Sequence, residues 1–148
     1  MIQQTLSELF ERDLTKLKEE ISLYVDESKI WAVKGEIKNS AGNLTLHLLG
    51  NLNHFVGAIL GGNGYVRNRN AEFSDKNVPR AEIISNIDKT IGVIKSTLSK
   101  ISDVDLKKDY PVKVLKNKET MKTEFFLIHL VGHLNYHLGQ INYHRRLI

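Results

Sequence analysis

Apolar residues recur at three- and four-residue steps in four separate stretches of this chain, and that spacing predicts helices packed on helices. The first stretch runs from about Ile2 to Val25, with Leu6, Leu9, Phe10, Leu14, Leu17, Ile21 and Tyr24 on one side and charges on the other. A connector with Trp31 and Gly35 follows. The second opens near Ser40, a fitting N-cap, and stops at Gly61-Gly62. The third begins at Pro79, which suits a first helical position, and carries Ile83, Ile84, Ile87, Ile91, Ile94, Leu98 and Ile101. The fourth starts near Thr120 and continues through Arg146. Four helices of roughly twenty residues predict an all-α four-helix bundle, a single domain over residues 1–148. The Gly61–Val78 link is long enough to be a crossover between helices 2 and 3. Helices 1 and 2 are then antiparallel, 2 and 3 parallel, and 3 and 4 antiparallel. Tyr110 to Leu115 is the one weak strand signal, and it stands alone.

Composition narrows the function. The chain has no cysteine, which excludes disulfide scaffolds, thiolate zinc sites, iron–sulfur clusters and cysteine nucleophiles. Its net charge is +4, and the charges are spread along the chain apart from a small basic end at Arg145 and Arg146. Nucleic-acid binders concentrate their positive charge on a face, so no nucleic-acid partner is expected. No run of about 18 apolar residues crosses a membrane, and no secretory signal is visible, so a cytoplasmic protein is expected.

The six histidines are the unusual feature. On a helical wheel His129, His133 and His137 of the fourth stretch fall within about 80° of one another, in the middle of its apolar arc. On the second, His47 and His54 share a face, and the remaining surface is apolar nearly all round, as if a second chain covered it. Buried imidazoles need partners, and a metal ion satisfies several at once. Zinc–nitrogen bonds of about 2.0–2.1 Å keep ligand nitrogens within about 4 Å of each other. Residues four apart on a helix meet that limit, while residues eight apart are separated by about 12 Å of rise. The fourth helix therefore gives one metal two histidines, either His129/His133 or His133/His137. His47 and His54 are about 10 Å apart along the axis, so the second helix gives one. His144, near the chain end, is expected at the surface or in a dimer contact, while His54 and His129 could also be hydrogen-bonded core residues.

The stretch HLVGHLNYHLGQINYHRRLI, above all His133-x-x-x-His137-x-Gly139-Gln140, resembles the last helix of DinB/YfiT-like proteins, and NLTLHLLGNLNHFVGAILGG resembles their second helix. The resemblance covers nearly the whole chain and implies the same four-helix layout. It selects His47, His133 and His137 as metal ligands and sets His54 and His129 aside. It also implies a metal-dependent hydrolase or a thiol-dependent transferase as the activity class, in a family with many members of no known activity.

Three histidines with an open position is the donor set of a catalytic metal, and imidazole suits zinc or nickel. Such an ion lowers the pKa of bound water, or holds a thiol as thiolate. The expected function is hydrolysis or S-transfer on a small molecule, with a low-molecular-weight thiol as a further cofactor. The alternative is a non-catalytic metal-binding or structural helical dimer. HLNYH lacks the glutamate of HExxH, and no Glu-x-x-His pair occurs, so no residue is assigned as catalytic acid or base. Asn51, Tyr136 and Gln140 are polar groups close to the ligand face. GGNGYVRNRN follows a helix rather than a strand, so it is no phosphate-binding fingerprint. It is read as a helix stop and a solvated loop, with Arg67 or Arg69 at the mouth of the site as the sharper option. Gly50/Gly57 and Gly132/Gly139 lie mid-helix, at about 1 kcal/mol each against alanine, which predicts tight packing there, within the bundle or across a homodimer.

Overall fold

The computed structural model describes residues 1–148, and its regular structure is all helical, without a β-sheet. Four long helices form the bundle: α1 (Ile2–Ser22), α2 (Ala41–Leu52), α4 (Arg80–Leu98) and α6 (Thr123–Leu147). Two short ones lie in the connections, α3 (Arg69–Ser74) in the crossover and α5 (Asp103–Lys107) before α6. A 3-10 turn, Glu27–Trp31, links α1 to α2, and a π-helical segment, Asn53–Leu60, prolongs α2. The suspected strand is only an isolated bridge between Asp109 and Lys122. No helix is long and apolar enough to cross a membrane.

Side-chain contacts fix the helix directions. Gln3 reaches the Ile101 carbonyl, Glu11 pairs with Lys95 and Lys18 with Asp88, so α1 and α4 are antiparallel. Asn135 donates to Asp13 and Asn142 to Glu20, so α6 runs parallel to α1. Asn53 bonds Thr90 beside α2, while Gly57 lies against Val93, so α2 and α4 are parallel. The order is up-down-down-up, with the crossover after α2, as the sequence predicts.

The core is one cluster. Phe10, Leu14, Leu17 and Ile21 of α1 meet Leu48 and Leu52 of α2, Ile83, Ile87 and Ile94 of α4, and Phe126, Leu130, Leu134 and Ile141 of α6. Ser40 caps α2 as expected, its hydroxyl accepting from the Asn43 amide. The apolar girth of α2 has a different cause from the one expected. The helix packs against α3, α4, α6 and the 3-10 turn, and nearly all its residues are buried within this one chain.

The π segment has visible support. Widening the turn to i→i+5 bonding, as from the Gly61 amide to the Val56 carbonyl, leaves carbonyls to be shared differently. The Asn53 side chain donates to the Leu49 carbonyl and to Thr90, and the Tyr110 hydroxyl donates to the Phe55 carbonyl at 2.7 Å. Gly57 makes room there, since a Cβ would stand 2.7 Å from the Asn63 side chain and 2.9 Å from Val93 and force them to shift.

Candidate metal centre

His47 is the seventh residue of α2, held over the core by Leu48 and Leu52 behind it. Across from it on α6, His133 and His137 stand one turn apart at the edge of that helix's buried arc. The arc is centred on Leu130, Leu134 and Ile141 rather than on the histidines. That rotation leaves His133 and His137 half-buried and His129 exposed. The histidines therefore line a rim and not the deep core that the wheel suggests.

The three side chains converge. His47 Nε2 lies 3.2 Å from His133 Nε2, and all three rings offer a ligand nitrogen within 4.8 Å of the others. Ring centroids are 5.1, 5.3 and 4.7 Å apart for the pairs 47/133, 47/137 and 133/137, with interplanar angles of 83°, 88° and 88°. The three rings are edge-on to one another rather than stacked, and their nitrogens are close enough to share one ion. For bonds of about 2.0–2.1 Å, the edge of a tetrahedron around zinc is about 3.3 Å, close to the spacing of the first pair. The donor set therefore fits a divalent ion.

Protonation favours the same use. Burial pushes the His133 pKa down to about 4, helped by His137, His47, His129 and Arg67 nearby. Burial also lowers His47, partly offset by its hydrogen bond to Glu72. Both rings are thus neutral at pH 7, the state in which imidazole ligates.

Each outer nitrogen tells something further. His137 Nδ1 lies 2.6 Å from Gln140 Oε1, which orients that ring with Nδ1 as the donor. His47 Nδ1 lies 3.0 Å from Glu72 Oε1. Glu72 is 5% exposed and receives Arg67 on both oxygens, at 2.8 and 2.9 Å. His133 Nδ1 is buried without a partner, and so is Asn51 Oδ1 one turn beyond His47. Glu72 escaped the sequence reading, because a lone Glu in a Gly- and Arg-rich crossover reads as solvated. The signal that could have found it is Gly50, a mid-helix glycine where a Cβ would overlap the Glu72 carboxylate.

The remaining candidates separate cleanly. His54 sits against Phe55 and His129 stacks on Phe126, each outside the cluster. His144 is not at the surface. It is 4% exposed, its Nδ1 meets the Tyr24 hydroxyl at 2.5 Å, and its Nε2 donates to the Ala32 carbonyl at 2.7 Å. Arg69 lies over the Phe73 ring, which itself packs against His47 with centroids 4.9 Å apart. Tyr136 is exposed, edge-on to His137 at 5.3 Å.

A cavity of about 550 Å³ adjoins the cluster, with His137, Gln140, Tyr136, Tyr143, Leu44 and Lys38 among its walls. That volume suits a small molecule. A larger one, about 800 Å³, lies between the end of the π segment, α4 and α5. It is bordered by Lys89, Lys100, Lys108, Asp105 and Asp109 and contains no histidine.

Residues 3–148 match the model of a family described as protein of unknown function (DUF1572), a DinB-like family. The chain belongs to that family. DUF1572 thus spans all four bundle helices and all three converging histidines. No curated protein matches the chain.

Proposed function

We propose that the protein is a metal-dependent enzyme of the DinB/YfiT-like kind, in which His47, His133 and His137 hold one divalent ion, zinc or nickel, for hydrolysis or S-transfer on a small molecule. The observation that carries this is the convergence of three imidazoles from two helices, their ligand nitrogens within 4.8 Å of one another, beside a small-molecule cavity. When bound, the ion supplies Lewis acidity, making water or a low-molecular-weight thiol a nucleophile near neutral pH. The chain's own residues do the rest. Gln140 and Glu72 orient two of the imidazoles, and Tyr136, Tyr143 and Leu44 offer an apolar wall for a substrate body. The free amide of Gln140, Lys38, Asn39 and Glu36 are among the polar groups available to position it.

A second copy of this chain is the proposed partner. Phe125, Ile128, Tyr136, Tyr143 and Leu147 are exposed along the outer side of α6, and a Cβ on Gly132 or Gly139 would meet nothing. Aromatic knobs and glycine hollows on one face are self-complementary, as a two-fold interface requires.

Elemental analysis of protein purified from zinc- and nickel-supplemented growth tests the metal. About one divalent ion per wild-type chain is expected, and its loss in His133→Ala, with helicity retained. A wild type without metal, or a variant that keeps it, removes the assignment. Turnover of small esters or thiol-transfer substrates that chelation abolishes and metal restores supports the enzyme. A loaded protein inert to a broad panel of both classes favours the non-catalytic alternative.

A further inference from the structure

We infer that Glu72, gripped by Arg67, is a positioning residue that fixes His47 as the Nδ1–H tautomer and so aims its Nε2 lone pair at the other two histidines. The inference rests on the proposed metal site and extends it to the crossover, which the sequence suggests is solvated loop.

The tautomer follows from what each atom can do. A carboxylate only accepts hydrogen bonds, so an unprotonated Nδ1 facing Glu72 Oε1 at 3.0 Å would set two lone pairs against each other. The rival donor, Arg67 Nη2, is further from Nδ1 at 3.4 Å and is already bound to Oε1 at 2.9 Å. The proton therefore sits on Nδ1, and Nε2 presents a lone pair to His133 Nε2, 3.2 Å away.

The clamp is built rather than incidental. Arg67 takes both carboxylate oxygens in a fork, leaving Glu72 little freedom to rotate. The backbone beneath is anchored too. Asn43, one turn before His47, donates its amide to the carbonyls of Glu72 and Asp75, both at 2.9 Å, tying α3 to α2. Asn68 caps α3 by accepting from the Ala71 amide. Gly50 leaves the space into which the carboxylate reaches. Arg67, one of the two arginines considered for the mouth of the site, stands beside His47 with its guanidinium engaged by Glu72 and its side chain largely buried.

Hydrogen-bond partners of ligating histidines typically contribute 10–100-fold to metal affinity. Nitrogen-15 NMR of the imidazoles in metal-free wild type at pH 7.5 is the direct test, and His47 should show Nδ1–H with an unprotonated Nε2. In Glu72→Leu that preference should disappear, and zinc affinity, read by competition with a chromophoric chelator, should fall roughly 10–100-fold. Glu72→Gln keeps an acceptor for Nδ1–H and should retain the tautomer and most of the affinity. Arg67→Met should lower affinity, and Arg67→Met with Glu72→Leu together should lose no more than Glu72→Leu alone, because Arg67 acts through the carboxylate. Circular dichroism monitors folding of each variant. Finding Nε2–H on His47 in wild type, or wild-type zinc affinity in a folded Glu72→Leu, overturns the inference. Should wild type bind no zinc, the metal site falls while the tautomer measurement still decides the role of Glu72.

Discussion

Individual side chains in this protein are specified by what their neighbours leave unpaired. His144 and Tyr24 satisfy each other in the core, while His133 keeps a buried nitrogen with no partner. The same residue type is thus a completed hydrogen-bond node in one place and an incomplete one in another, and the incomplete one belongs to the candidate metal site. His133 also gives the fold a pH dependence. Its folded-state pKa, about 4, lies below the value near 6.5 of an exposed imidazole. Between those values the unfolded chain takes up a proton that the folded chain refuses, so metal-free protein loses stability as pH falls from about 6.5 to about 4. His133→Leu removes that contribution. Urea denaturation at pH 7 and pH 4.5 should show wild type losing on the order of 2 kcal/mol more than the variant, before any allowance for partial solvent screening. An equal loss in both would show that burial of His133 has no such effect.

Helix pairs show how registers are set. Asp13 and Glu20 lie seven residues apart on α1 and meet Asn135 and Asn142, also seven apart, on α6. Arg145 adds a second bond to Glu20, 2% exposed, and although burial favours its neutral form, the bonds from Arg145 and Asn142 outweigh that and lower its pKa. A polar ladder of this kind tolerates little sliding, since slipping α6 would leave buried carboxylates unpaired. It fixes the height of His133 and His137 relative to the rest of the bundle. At the other end of the site the π segment depends on the Tyr110 phenol, whose pKa burial pushes up so that it remains a donor. Tyr110→Phe leaves the Phe55 carbonyl without that partner and should cost about 1–3 kcal/mol in chemical denaturation. A change within a few tenths of a kcal/mol would mean that the π turn holds without it.

At the scale of the whole molecule, one side of the bundle is finished and another is not. α2 is enclosed by its own chain, whereas α6 shows solvent a stripe of aromatic residues interrupted by Gly132 and Gly139. If a second copy covers that stripe, light scattering after size exclusion gives a dimer for wild type and a monomer for Gly139→Glu. Nothing in the chain lies within 4 Å of a Cβ at Gly139, so its own fold has room for the new side chain. A monomeric wild type at micromolar concentration rejects the interface. Because Tyr136 and Tyr143 also wall the cavity beside His137, a dimer would bring the partner close to the site.

Helix identity, the Ser40 cap, the Gly61-Gly62 stop and the up-down-down-up order were legible in the sequence because they depend on local spacing and on connection lengths, whereas Pro79, expected as a first helical residue, stands one position earlier as the N-cap of α4. Apolar residues at three- and four-residue steps, Ser40, Gly61-Gly62 and the Gly61–Val78 link act over a few turns of chain. The pairing of His133 with His137 was one of two options permitted by that spacing, and resemblance to a known family chose between them. The rotation of α6, which exposes His129 and half-buries His133, depends on how Leu130, Leu134 and Ile141 fit against the other helices, and no single helix contains that information. The same holds for Glu72, which stands far along the chain from His133 and beside His47 only because the crossover folds back, tied by Asn43 and admitted by the missing side chain of Gly50. Periodicity is a property of a segment, whereas a site made of a helix, a crossover and a distant helix exists only once the chain has closed on itself.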